Sequence, residues 1–128
     1  PGYPCYKNFA RVYCLKPVAA PIGKESDYEL TPDILDGLKE SFKGFLVTSP
    51  SNPVGNVYKR ETLEALVEYA HQKGKIFISD EIYHGLNYSA PVHTALEFGD
   101  DVIVVNGFSK YFCMPGFRLG WVIVPQRF

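Results

Sequence analysis

Residues 61–83 read Glu-Thr-Leu-Glu-Ala-Leu-Val-Glu-Tyr-Ala-His-Gln-Lys-Gly-Lys-Ile-Phe-Ile-Ser-Asp-Glu-Ile-Tyr. Leu63, Leu66, Val67 and Ala70 fall at i, i+3, i+4 and i+7, the apolar stripe of an amphipathic helix over residues 61–73. Gly74 stands where a left-handed helix cap is expected. Residues 75–79 (Lys-Ile-Phe-Ile-Ser) are short, apolar and β-branched, which predicts a buried strand running into Asp80. A half-buried helix followed at once by a buried strand is one unit of an α/β fold with a parallel sheet.

The same grammar extends in both directions. Upstream, residues 45–48 (Phe-Leu-Val-Thr) predict a strand, with Gly44 ending the segment before it and a loop at 49–56 after it. Thr31 followed by Pro32 predicts an N-cap and first helical position, with a helix through residue 40. A short strand at 18–22, a helix at 6–15 and a Pro/Gly-rich loop at 1–6 complete that side. Downstream, residues 101–105 and 119–124 predict two more strands. The expected fold is α/β, three-layer, with a mostly parallel sheet and flanking helices. No internal repeat, low-complexity tract or linker interrupts it.

The 128 residues suffice for one domain with a core, and 46% hydrophobic residues exclude a disordered chain. A formal charge of −1 gives no reason to expect nucleic acid or an anionic membrane as partner. No apolar run approaches the roughly 20 residues that span a bilayer. Cys5, Cys14 and Cys113 lack CxxC spacing, which argues against a zinc site or a disulfide framework and for a reducing, cytoplasmic setting. The chain begins at Pro1 within a motif, so an internal fragment of a longer protein is expected, and a missing leader says nothing of location.

Three polar clusters occupy equivalent places. Asn52 follows the strand at 45–48, Asp80 and Tyr83 follow that at 75–79, and Ser109 and Lys110 follow that at 101–105. Ligands of open α/β sheets bind outside the carboxyl ends of the strands, so these side chains would converge if the strands are parallel. A desolvated lysine can form a Schiff base. An aspartate can hold a protonated pyridine nitrogen, and Arg118 could grip a phosphate bidentately. Those are the needs of pyridoxal phosphate, although the same set could serve other anionic ligands. No GxGxxG after a strand and no Walker motif supports a nucleotide site.

Four segments narrow the choice: Pro-Gly-Tyr-Pro-Cys-Tyr (1–6), Ser-Asn-Pro-Val-Gly (51–55), Asp-Glu-Ile-Tyr (80–83) and Ser-Lys-Tyr-Phe-Cys-Met-Pro-Gly-Phe-Arg-Leu-Gly-Trp (109–121). In this order they resemble the class I/II aminotransferases, pyridoxal-phosphate enzymes of fold type I. The resemblance implies that Lys110 is the Schiff-base lysine and general acid/base, and that Asp80 partners the pyridinium nitrogen. It implies that Tyr83 and Asn52 donate to the cofactor's phenolic oxygen, that Tyr3 stacks on its ring, and that Arg118 and Ser109 contact its phosphate. Many relatives carry a phosphate-binding serine where this chain has Gly107; a backbone N–H there could face the phosphate instead.

The resemblance covers the central part of a pyridoxal-phosphate-binding large domain, residues 1–128, without its N-terminal part or the small domain. It implies a homodimeric parent that moves an amino group from an amino acid to a 2-oxo acid. A carbon–sulfur lyase or related synthase shares these motifs, and a catalytically incomplete piece is the further alternative. His84, His93 and Cys113 match no catalytic position and read as loop or packing residues, and Asp100-Asp101 as a solvated turn. The polar side of the 61–73 helix reads as its water face.

Overall fold

The computed structural model describes residues 2–88 and 90–128. In chain order they form α1 (Pro4–Val12), α2 (Pro32–Asp36), β1 (Gly44–Thr48), α3 (Arg60–Lys73), β2 (Ile76–Asp80), β3 (Ile103–Gly107) and β4 (Gly120–Ile123). Short 3₁₀ turns lie at Lys24–Ser26, Ala95–Glu97 and Pro115–Phe117. The sheet order is β1-β2-β3-β4. β1, β2 and β3 run parallel, and β4 returns antiparallel to β3. This is the mostly parallel α/β sheet that the pattern predicts.

The helix and strand expected within 61–83 both form, each within one residue of its expected bounds. α3 ends at Gly74, whose φ of 60° is the left-handed cap that a side chain resists. Its N-terminus is capped from a distance. Buried Glu29 accepts the Lys59 N–H at 2.9 Å and the Thr62 hydroxyl at 2.5 Å, placing a carboxylate at the positive end of the helix dipole. Leu63, Leu66, Val67 and Ala70 are buried, and the core they belong to includes Phe45, Val47, Phe77 and Val104. The rings of Phe45 and Phe77 stack at 4.8 Å between centroids. Tyr58 lies under the same layer. Its hydroxyl accepts the Leu30 N–H at 2.7 Å, and burial pushes its pKa up to about 12.

Register sorts the sheet into two faces. Phe45, Val47, Phe77, Ser79 and Val104 alternate onto the α3 side and are buried. Leu46, Thr48, Ile78, Asp80, Ile103 and Val105 occupy the other face and are only half-buried. β4 is exposed on both faces, although Trp121, Val122 and Ile123 are all apolar.

Several element boundaries differ from the sequence reading, each for a local reason. α1 begins at Pro4, not Tyr6, because a proline ring pre-sets the first helical φ; it ends early where Cys14 turns left-handed at φ 56° and Leu15 N–H closes back on Ala10 (2.8 Å). Residues 18–22 form no strand. Pro17 and Pro21 have no N–H to donate to a ladder, and Ile22 N–H instead closes a tight turn onto Ala20 (3.0 Å). α2 has the expected Thr31 cap, whose hydroxyl accepts the Ile34 N–H at 3.4 Å, but it stops at Asp36 before Gly37 and does not reach residue 40.

Gly44 opens β1 rather than ending the segment before it. A Cβ there would stand 2.5 Å from the Ile76 carbonyl, so only glycine permits this pairing. β2 runs one residue later than predicted and takes in Asp80. β3 runs two residues later, because Asp101 turns outward to pair with Arg127.

Candidate active site

The parallel strands bring their carboxyl ends, and the side chains that follow them, to one edge. Asp80 is the last residue of β2, paired across the ladder with Thr48 and Val105. One of its carboxylate oxygens accepts the Ile82 N–H at 3.1 Å, which starts the turn after the strand. The other accepts the Tyr6 hydroxyl, which also lies 2.9 Å from Thr48 Oγ1. Tyr6 thus links α1 to the ends of two strands. Burial, and next the hydrogen bond to Asp80, raise its phenol well above the ordinary value.

Tyr83 rides on the turn after β2. Asn52, in the loop after β1, donates Nδ2–H to its hydroxyl at 3.4 Å. That loop is itself pinned: Ser51 N–H bonds the Asn56 carbonyl at 3.0 Å, and Asn56 Nδ2 reaches the Tyr28 carbonyl at 3.3 Å. Lys110, exposed after β3, holds its Nζ 5.6 Å from the centre of the Tyr83 ring, a cation–π contact. The neighbouring Tyr111 ring lies against Gly85, where an added Cβ would meet it at 2.4 Å. The three loops after β1, β2 and β3 therefore interlock around Tyr83.

Tyr3 caps α1 and packs edge-on to Tyr6, with centroids 5.6 Å apart. Its phenol is held above the ordinary value, first by the neighbouring Cys5 thiol; Tyr83 acts in the same direction and Arg118 opposes it, so all three share one neighbourhood. Arg118, at φ 51°, ends the last 3₁₀ turn and donates to the Pro115 carbonyl at 3.0 Å. Ser109 is half-buried beside Lys110. The structure thus gathers Asn52, Tyr83 and Lys110 by direct contact and sets Asp80 at the base of the same turn. Arg118 meets Tyr3 only through its charge.

The expectation for Gly107 needs correcting. Its N–H donates to the Asn106 side chain at 2.7 Å and does not face an open site. Glycine is required there for another reason: β3 and β4 approach closely, and a Cβ would meet the Leu119 carbonyl at 3.2 Å and Gly120 Cα at 3.3 Å.

Tyr6 and Thr48 also lie at this edge, and the sequence reading missed them. The available signal was spacing: Tyr6 lies three residues after Tyr3, so one helix turn puts both on one face. Glu81 was also passed over, and His84 was read only as a loop or packing residue. Glu81 is buried, with His84 Nδ1 at 3.4 Å from its Oε2.

An amine, a carboxylate, a phenol with an amide at its hydroxyl, a guanidinium and an aromatic face fit the functional groups of pyridoxal phosphate one for one. Asp80 fits the pyridinium role by its hydrogen bonding too, since each oxygen has one partner here and a second lone pair to offer. Two concavities, of about 350 Å³ beside α3 and Asp100-Asp101 and about 380 Å³ beside α2 and Lys75, lie away from this edge and carry no comparable set. Among the described residues no helix is long and apolar enough to cross a membrane, and no three His, Cys, Asp or Glu side chains group as metal ligands.

The mostly parallel α/β sheet, with a lysine, an aspartate and a tyrosine at its carboxyl edge, places the chain in the class of aminotransferase fold type I. The family model for aminotransferase class I and II matches residues 1–128, and the chain belongs to that family. It is 39% identical over 127 residues to valine–pyruvate aminotransferase of Mycobacterium tuberculosis, covering 98% of this chain and 33% of that protein. It is 40% identical over 126 residues to (5-formylfuran-3-yl)methyl phosphate transaminase of Methanocaldococcus jannaschii, covering 96% and 31%. The crystal structure of an aminotransferase from M. tuberculosis superposes with a TM-score of 0.94 at 38% identity, covering 99% of this chain and 35% of that one. The chain spans about one third of the length of these relatives.

Proposed function

We propose that the protein to which these residues belong is a pyridoxal-phosphate-dependent aminotransferase that moves an amino group from an amino acid to a 2-oxo acid. The observation that carries this reading is the convergence of Asn52, Asp80, Tyr83 and Lys110 at the carboxyl edge of three parallel strands. The cofactor, when bound, supplies an aldehyde to hold the amino group and a ring to take up electrons from the substrate Cα.

The chain's own residues supply the rest. Lys110 Nζ would anchor the cofactor covalently and, when free, would carry the proton to and from the substrate carbon. The Asp80 carboxylate keeps a proton on the ring nitrogen, and the Tyr6 hydroxyl and Ile82 N–H hold that carboxylate in one orientation. Tyr83 and Asn52 would donate to the phenolic oxygen, Tyr3 would cover the ring face, and Arg118 with Ser109 would hold the phosphate. Residues 1–128 form the central part of the large domain. The working enzyme is a homodimer in the cytoplasm, a setting consistent with three unpaired cysteines.

The different substrates named for its relatives leave the side chain of the amino acid open. Full-length protein loaded with the cofactor and given one amino acid at a time, without a 2-oxo acid, tests the reaction. One equivalent of 2-oxo acid per site and no free ammonia is the expected result. Continuous release of ammonia with pyruvate would identify a β-eliminating lyase instead.

A further inference from the structure

Glu81 follows Asp80 but turns away from it. Its N–H continues the ladder to the Val105 carbonyl at 2.8 Å, and alternation sends its side chain to the α3 side of the sheet, where it is buried. There one oxygen, Oε1, collects three donors: Ser79 Oγ at 3.0 Å, Thr94 Oγ1 at 3.0 Å and Ala95 N–H at 2.9 Å. The other, Oε2, faces His84 Nδ1 at 3.4 Å, and the His84 N–H returns to the Glu81 carbonyl at 3.0 Å. A buried carboxylate costs several kcal/mol unless it is compensated, and here three hydrogen bonds on Oε1 supply most of that compensation.

The partners are spread along the chain. Ser79 lies in β2, His84 in the turn that carries Tyr83, and Thr94 and Ala95 where the excursion after that turn rejoins the core. We propose that Glu81 is a positioning residue for the cofactor edge: its carboxylate clasps both ends of this excursion and His84, and so fixes the turn that presents Asp80 and Tyr83. The proposal rests on the cofactor reading above only for the role of the edge; the clasp itself is geometry. Asp80 and Glu81 thus divide the work, one facing the ligand and the other holding the backbone from behind the sheet.

The test uses the full-length protein and two readouts. Amide hydrogen exchange of the cofactor-free protein reports the turn directly. The pH midpoint of the bound cofactor's visible absorbance reports whether Tyr83 and Asn52 still reach the phenolic oxygen, since losing those donors disfavours its charged form and raises the midpoint. Glu81→Ala is expected to speed exchange at residues 80–86 about tenfold and to raise the midpoint by about one pH unit. Glu81→Gln, whose amide oxygen can accept the same three donors, is expected to restore both.

Leu63→Ala, a core variant away from the clasp, controls for general destabilisation. If Leu63→Ala moves the midpoint as far as Glu81→Ala does, the role is merely structural and the proposal is overturned. Should Glu81→Ala not fold, Ser79→Ala removes one donor and is expected to move both readouts in the same direction by less; no movement overturns the proposal. If the wild-type protein takes up no cofactor, the functional reading fails while exchange in the cofactor-free protein still decides the clasp.

Discussion

Gly85 offers a quantitative test of how the three loops interlock. Its φ of 89° is in the region where an L side chain is strained, and an added Cβ would stand 2.4 Å from the Tyr111 ring. Substituting alanine therefore has two consequences. Backbone strain costs about 1–2 kcal/mol. The ring must also retreat by about 1 Å to reach ordinary contact at 3.4 Å. Tyr111 is half-exposed and can move outward, so the clash becomes displacement of the residue next to Lys110.

A misplacement of that size at a reacting group costs up to about 100-fold in rate. Gly85→Ala is thus expected to slow the amino-acid half-reaction tenfold to 100-fold, with a loss of stability of about 1–2 kcal/mol in urea. Gly74→Ala is the matched control, because Gly74 also has positive φ (60°) but no atom within 4 Å of an added Cβ. It should destabilise comparably and leave the half-reaction unchanged. In a Tyr111→Ala background Gly85→Ala should keep its stability cost and lose its further effect on rate. Equal rate effects of Gly85→Ala with and without the Tyr111 ring would refute this coupling.

Further expectations follow from other parts of the molecule. Leu66, fully buried on the inner face of α3, should cost about 2–5 kcal/mol on substitution by alanine, measured by urea unfolding; a loss below about 1 kcal/mol would mean that this helix face is not the core. Burial holds His84 below its ordinary pKa, against the opposing pull of Glu81, the Ser49 carbonyl and Glu97. The unfolded chain therefore binds this proton first, and stability declines as pH falls through the ordinary histidine range near 6.5 towards the lower folded value. Proton NMR should show the His84 ring titrating below the ordinary histidine value; a midpoint above that value would contradict the burial. The isolated 128 residues, with β4 exposed on both faces, should self-associate in light scattering, and a sharp monomer at high concentration would count against that.

The parts of the fold set by local chemistry were readable in the sequence. The α3 stripe, the Gly74 cap, the Thr31-Pro32 helix start and the buried strands each depend on residues within a few positions of one another. What escaped reading depends on distant partners. The length of α1 is closed by Cys14 in a left-handed conformation, which no common pattern announces. The direction of β4 is a matter of topology, because Trp121, Val122 and Ile123 would suit either orientation.

The site divides in the same way. The placement of Asn52, Asp80, Tyr83 and Lys110 at one edge was legible because each ends or follows a strand. Tyr6 was not, since its hydroxyl reaches Asp80 across 74 residues of chain. Glu81 was hidden beside a more conspicuous aspartate, and only burial and its donors distinguish it. Gly107 misled: its freedom serves the close approach of β4 rather than a ligand.

The account depends most on Lys110 as the covalent anchor. Full-length protein incubated with pyridoxal phosphate, reduced with borohydride and mapped by peptide mass spectrometry tests it directly, with Lys110→Ala beside it. One reduced adduct, on Lys110 and absent from the variant, is expected. An adduct on another lysine, or equal labelling of the variant, would contradict it.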